Sequence, residues 1–244
     1  MSSHSCAVDF TIRIECENQK KCLGQDFLIG FRRMDRAMAI YRSPGIELGA
    51  VLATGLLHIL FQGPETKGGY IALASVSWIG YIVWRVRQDS SLWVQWGFQT
   101  RNLSSAFSRP TVIFVLGVCL MAWYGLANGR VLWQGHIIFL LLLYPLWGIL
   151  QQFLVQALGV ANLMKLFPKQ GWMVAMPVGI VLFSIIHYPD GLLMISTGLM
   201  AALFIPCYLR DRNLWPLGLY HGWLGTFFYL WVLGQDPWID VFGK

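Results

Sequence analysis

The sequence predicts an all-α membrane protein that crosses the bilayer about seven times. Three observations lead to this fold class. The chain of 244 residues is 56% hydrophobic, only 12% of its residues are charged, and turn residues separate recurring apolar stretches. A soluble domain carries roughly 25% charged residues, so this chain lacks the charge to coat a soluble fold. Its 12 Trp and 9 Tyr side chains fit two belts at the membrane interfaces, where amphipathic rings are favoured.

Residues 1–42 differ from the rest of the chain, because they are polar, carry charges of both signs and show no sustained periodicity. No apolar segment follows a basic start, so they do not have the pattern of a signal peptide. We therefore predict a cytosolic polar tail over 1–42 and a transmembrane domain over 43–244. Met34 closely precedes the first hydrophobic segment and is an alternative start to Met1.

Seven stretches meet or approach the length of about 20 largely apolar residues that a spanning helix needs. They are 46–63, 69–86, 110–128, 131–157, 170–188, 191–209 and 214–234. The fourth is longer than a simple span, and Pro145 is expected to kink it. Residues 87–109 mix apolar and polar side chains at a spacing that predicts an amphipathic helix lying on the membrane surface.

Basic residues predict the orientation of these spans. With the tail in the cytosol, the inner side carries Arg32, Arg33, Arg36, Arg42, Arg85, Arg87, Arg101, Arg109, Lys165, Lys169, Arg210 and Arg212, and the outer side carries Lys67, Arg130 and Lys244. Because Lys and Arg accumulate on the cytoplasmic side, the N-terminus is predicted to be cytosolic. This distribution assigns the net charge of +6 to topology and membrane lipid, so we predict no nucleic-acid partner.

Polar side chains inside the spans are few, and each is a candidate for function. No carboxylate lies in the middle of a predicted span, which excludes a proton relay of buried Asp or Glu and disfavours a transporter. Gln151, Gln152 and Gln156 lie in the fourth stretch, His187 ends the fifth and His221 lies in the seventh. The spacing places Gln152 and Gln156 on one helical face. A single His in a span is more often a structural hydrogen-bonding group, but the three groups together favour a functional site.

In their order and spacing, these groups resemble the motifs of the CPBP family, also called Abi, which includes CAAX prenyl proteases and bacteriocin-processing proteins. The Glu-Glu-x-x-x-Arg motif of the family reads Gln151-Gln152-Phe153-Leu154-Val155-Gln156 here, Phe-x-x-x-His is intact from Phe183 to His187, and His-x-x-x-Asn reads His221 to Gly225. The resemblance covers about residues 110–230. It implies a CPBP/Abi-like bundle in the bacterial inner membrane and an intramembrane peptidase acting on membrane-associated peptides or proteins.

The resemblance also implies roles for the site residues. In the family, the first Glu activates a water with help from the first His, while the second His and the Asn stabilise the oxyanion. Gln151 and Gln152 occupy the glutamate positions here, and Gln156 and Gly225 replace the Arg and the Asn. A Gln amide cannot act as a base, and losing a general base typically costs 10²–10⁴-fold in rate. Two functions remain open: an intramembrane endopeptidase with altered or lost activity, and a non-catalytic pseudoprotease that binds or escorts membrane peptides.

The depth of the site is an open question at this stage. The predicted spans place Gln151 in the inner half of the fourth helix and His187 at the outer end of the fifth. Breaks at Pro145 and Pro177, or a re-entrant segment over 156–169, would bring them together. His187 is an alternative base, and Asp190 is a candidate to orient its imidazole. Two histidines without a carboxylate or thiol partner make a poor zinc site, so we predict no metal and no cofactor.

Overall fold

The computed structural model describes residues 44–130, 133 and 135–238, and the predicted tail over 1–42 lies outside them. The described residues form helices joined by turns and short links, without a strand. The helices are α1 Pro44–Leu60, α2 Pro64–Gln88, α3 Ser91–Gln95, α4 Leu103–Ala127, α5 Ile137–Gln152, α6 Ala161–Leu166, α7 Gly171–Ile185, α8 Gly191–Asp211 and α9 Trp215–Phe227. Two π-helical segments, Phe153–Val160 and Phe228–Leu233, continue α5 and α9. The contacts described below lie within one compact unit, Ile46–Lys244.

Among the described residues, four helical stretches are long and apolar enough to cross a membrane: Glu65–Gln88, Leu103–Ala127, Ile137–Leu166 and Gly191–Asp211. Pro44–Leu60 and Gly171–Ile185 are apolar but shorter, and the seventh predicted stretch coincides with α9 and its π-helical continuation. Large apolar side chains face outward from these helices, as expected where lipid replaces water; Ile195, for example, is 73% exposed. The predicted class of an all-α polytopic membrane protein is therefore confirmed.

The prediction of a surface helix over 87–109 is wrong. Only Ser91–Gln95 forms a short separate helix, and α4 begins at Leu103 and continues through Pro110. Trp96 and Phe98 are buried and pack against Phe153 instead of lying on the membrane surface. Trp96 and Phe98 of this link thus belong to the protein core.

Polar side chains of the same link bind the connection between α8 and α9, which explains why no longer helix forms there. Gln99 Nε2 donates to the carbonyl of Arg212 at 2.8 Å, and Asn102 Nδ2 donates to the carbonyl of Asp211 at 2.7 Å. Asn213 Nδ2 returns a hydrogen bond to the carbonyl of Gln99 at 2.9 Å. These bonds satisfy the carbonyls at the end of α8 and fix the point where α9 begins.

The fourth span is longer than predicted and is shifted along the chain. Its helical stretch runs from Ile137 to Leu166, 30 residues, against the predicted 131–157. The alternative of a re-entrant segment over 156–169 is excluded, because α5, the π-helical segment and α6 form one run to Leu166. Gln152 is residue 16 of these 30 and lies near the middle of the span. The longer helix thereby moves the glutamines away from the membrane end where the predicted span placed them.

Glycines bring α5 and α9 into close backbone contact. A Cβ added at Gly148 would lie 2.4 Å from the carbonyl oxygen of Gly218, and one added at Gly222 would lie 2.5 Å from Cα of Pro145. Neither position has room for a side chain, which is the usual reason for glycine where two membrane helices touch. Gly148 precedes Gln152 by one helical turn, and Gly222 follows His221. The contact therefore holds Gln152 and His221 opposite each other.

Candidate functional site

The centre of the site is a hydrogen bond between α5 and α9. Gln152 Nε2 lies 3.2 Å from Nδ1 of His221. The side chain of Gln152 is fully buried, and His221 is 7% exposed. Two sequence motifs that are 69 residues apart thus meet directly in the interior of the bundle.

Gln156 extends this contact by one helical turn. Its Nε2 donates to Oε1 of Gln152 at 3.1 Å, so Gln152 Oε1 is already an acceptor. The amide nitrogen of Gln152 therefore faces His221 and donates to Nδ1, which leaves the proton of a neutral imidazole on Nε2. We call Gln156, Gln152 and His221 the amide chain. Its last atom, Oε1 of Gln156, is buried and has no hydrogen-bond partner.

Phe183 links His187 to the amide chain. Its ring makes edge-to-face contacts with His187 at 5.6 Å and with His221 at 5.3 Å between ring centroids. His187 Nδ1 lies 2.9 Å from the carbonyl oxygen of Phe183. Because a carbonyl can only accept, Nδ1 carries the proton, and the lone pair of His187 is on Nε2. The intact Phe183–His187 motif therefore positions an imidazole beside the amide chain.

The other predicted site residues lie outside the amide chain. Gln151 is half-buried, and its amide makes no hydrogen bond to any described residue. A Cβ added at Gly225 would meet only Cδ1 of Tyr144, at the ordinary distance of 3.8 Å, so the missing Asn side chain has not been replaced by bulk from a neighbour. The predicted role of Asp190 is wrong, because its Oδ1 accepts from the amide of Leu193 at 2.9 Å and caps α8.

The site lacks the carboxylate chemistry of the family motif. Within the described part of the chain, no Asp or Glu makes a hydrogen bond to Gln152, Gln156, His187 or His221. No group of three or more His, Cys, Asp or Glu side chains among the described residues could hold a metal ion. The arrangement can donate and accept hydrogen bonds in a buried setting, and His187 Nε2 is its candidate proton acceptor.

A second buried polar cluster was missed at the sequence level. Glu47 on α1 is 7% exposed, accepts hydrogen bonds from the Tyr81 hydroxyl and from Asn162 Nδ2, and lies 3.7 Å from a guanidinium nitrogen of Arg85. Its position near the end of a predicted stretch suggested a membrane interface. A buried carboxylate needs compensating partners, and the pairing of Glu47 with Arg85 across α1 and α2 was the signal that could have found it.

The functional motifs fall inside a region of recognisable family character. Residues 132–227 match the family model described as type II CAAX prenyl endopeptidase Rce1-like, and this region includes the amide chain, Phe183 and His187. Comparisons with curated proteins and with solved structures gave no match. The resemblance to the CPBP family is confirmed over residues 132–227, which are less than half of the chain and are similar to the type II CAAX prenyl endopeptidases of that model.

Proposed function

We propose that this protein binds membrane-associated peptides in a protease-type site without hydrolysing them at the rate of a glutamate-dependent enzyme. The observation that carries the proposal is the amide chain, in which uncharged Gln156 and Gln152 lead to a neutral His221. Peptide hydrolysis needs a base that removes a proton from water, and an amide cannot take that proton near neutral pH. The amide chain supports binding, and Gln151, at the position of the base in the family motif, cannot act as one.

The remaining polar groups suit a peptide backbone. A peptide offers one N–H and one C=O per residue, and the half-buried amide of Gln151 can accept from the first and donate to the second. Gln151 has no competing hydrogen bond among the described residues. Such a pair of bonds is favourable in a water-poor site, where an unpaired peptide group costs several kcal/mol. Gln151 is thus the candidate contact to the bound peptide, and the amide chain, which includes the neighbouring Gln152, is the proposed scaffold.

Slow hydrolysis through His187 is a second candidate function, and one observation favours it. The bond from Nδ1 of His187 to the Phe183 carbonyl directs the lone pair of the ring to Nε2, which can accept a proton from water. Gln151 would then position that water. This activity would depend on His187 and would be independent of a carboxylate at position 151.

A cleavage assay on a membrane-embedded peptide separates these functions. We expect the native protein to cleave slowly or not at all, and Gln151→Glu to raise the rate by about 10²-fold or more, because it supplies a base. Gln151→Leu is the matched control, since it changes the same position without adding a base. Cleavage by the native protein that disappears in His187→Ala would support the second function and contradict the first.

We further propose that the domain lies in the bacterial inner membrane with its N-terminus in the cytosol. The charge of Lys165 interacts with those of Arg85 and Arg212, which supports a common membrane end for three of the predicted inner residues. Labelling of single cysteines from outside intact cells tests this orientation. A cysteine replacing Lys169 is expected to stay unlabelled, and one replacing Lys67 is expected to react; the reverse pattern would overturn the orientation.

A further inference from the structure

A groove runs along the outer surface of the bundle between α4 and α8, away from the amide chain. Its volume is about 500 Å³. Its walls are mostly apolar, and the residues that line it are Ser108, Arg109, Val112, Ile113, Ala202, Leu203, Pro206, Cys207 and Arg210. None of them belongs to the proposed peptide site, so a ligand in the groove would be distinct from the bound peptide.

Two arginines stand at the same end of this groove. Arg109 is in the second turn of α4, and Arg210 is in the last turn of α8. Arg210 is held in place, because its Nε donates to Asp211 at 2.8 Å and its Nη2 donates to the carbonyl of Ser105 at 2.9 Å. Its Nη1 has no hydrogen bond to a described residue, and Arg109 has no ion pair among them. The groove end therefore carries two positive charges against the single carboxylate of Asp211.

The length of the groove matches that of a lipid phosphate and the first methylene groups of its acyl chain. Leu203 and Arg210 are seven residues apart on α8, which corresponds to about 10 Å along the helix axis at 1.5 Å per residue. A guanidinium pair at one end can bind a phosphate, since its planar N–H donors match phosphate oxygens. The apolar walls below it can cover the first methylene groups of an acyl chain. In a membrane, a phospholipid is the ligand that carries both a phosphate and an acyl chain.

We propose that the groove between α4 and α8 is a binding site for one anionic phospholipid, with its phosphate on Arg109 and Arg210 and an acyl chain against Ala202, Leu203 and Val112. The surplus positive charge at the groove end favours an anionic headgroup over a zwitterionic one. The ammonium group of a zwitterionic headgroup would face the arginines and be repelled by them. Each basic residue near a membrane surface contributes enough attraction for about a fivefold preference.

Native mass spectrometry of the purified full chain tests the site with two probes, phosphatidylglycerol and phosphatidylcholine carrying the same acyl chains. We expect the native protein to retain one phosphatidylglycerol at about fivefold higher occupancy than phosphatidylcholine. Arg109→Gln is expected to abolish this preference. Ala202→Leu keeps both arginines but fills the groove, and it is expected to reduce the retention of either lipid.

Arg87→Gln is the matched control, because Arg87 is an exposed arginine at the end of α2 and does not line the groove. It is expected to retain the lipid like the native protein. Equal retention of the two lipids by the native protein, or retention unchanged in Ala202→Leu, would overturn the proposal. So would an equal loss in Arg87→Gln, since that result assigns the binding to diffuse surface charge.

Discussion

Two of the buried polar clusters in the described part of the chain are built in opposite ways. The cluster around Glu47 holds a carboxylate, and it surrounds that charge with a guanidinium, a carboxamide and a phenol hydroxyl. The amide chain of Gln156, Gln152 and His221 holds no carboxylate, and one of its oxygens has no hydrogen-bond partner. The first cluster is held by side-chain partners, and the second is held by the glycine contact between α5 and α9.

The bundle can bury a carboxylate when enough partners surround it, as Glu47 demonstrates. Glutamine at positions 151 and 152 is therefore not a consequence of a fold that tolerates no buried acid. Gln156 stands at the position of the Arg in the family motif. The positive charge that would compensate a Glu is therefore absent together with the Glu residues themselves.

The largest expected effect concerns the glycine contact. Gly222→Ala places a Cβ 2.5 Å from backbone atoms of Pro145, so α5 and α9 must move apart. We expect a loss of about 3 kcal/mol in the free energy of unfolding, measured in detergent. Gly225→Ala lies on the same helix with its nearest neighbour at 3.8 Å and is expected to be tolerated. Equal losses in the two variants would contradict the role of this contact.

The Glu47 cluster is expected to be the next most sensitive. Glu47→Ala leaves Arg85 and Asn162 without the carboxylate they bind, and we expect a loss of about 2–3 kcal/mol. Glu47→Gln keeps an acceptor for Tyr81 and Asn162 and removes only the charge. It is expected to lose about half as much in the same unfolding measurement. Unchanged stability in Glu47→Gln would show that the charge does not stabilise this cluster.

Within the amide chain, the middle residue is expected to matter most. Gln152→Leu removes the partner of both Gln156 Nε2 and His221 Nδ1, which leaves two buried polar groups unpaired. We expect a loss of about 1–2 kcal/mol in the free energy of unfolding. Unchanged stability would mean that the side chains of Gln156 and His221 find other partners.

The smallest effect is expected at the end of the amide chain. Gln156→Leu removes one hydrogen bond, but it also removes the buried oxygen that has no partner. These two contributions oppose each other, so the net change is expected to stay below about 1 kcal/mol. A loss greater than that of Gln152→Leu would contradict the hydrogen-bond order proposed for the amide chain.

Residue patterns predicted the class of fold and proposed candidate residues for the site. Apolar length alone located the seven helical stretches, and the motif spacing identified Gln152, His187 and His221 before their contacts were known. Boundaries were less predictable, because the apolar pattern of 131–157 gave no sign that the helix continues to Leu166. The link over 87–109 failed for a related reason: the bonds of Gln99 and Asn102 to the end of α8 are long-range, and no local pattern contains them.

Which of the two adjacent glutamines faces His221 also could not be predicted. Helical spacing placed Gln152 with Gln156 and turned Gln151 aside, but the partner of that face depended on how α5 packs on α9. Gly148, Gly218 and Gly222 decide this packing, and they were not recognised as a set at the sequence level. The buried position of Glu47 was missed because its partners Arg85 and Asn162 lie on other helices.

The central claim is that the site holds a peptide and leaves it whole. It is tested most directly by crosslinking the native protein to a membrane peptide that carries a photoreactive group, and then measuring the mass of the captured peptide. We predict capture of the intact peptide, reduced by Gln151→Leu and unaffected by Arg87→Gln. Recovery of the peptide as two fragments, or capture that is the same in Gln151→Leu, would contradict this account.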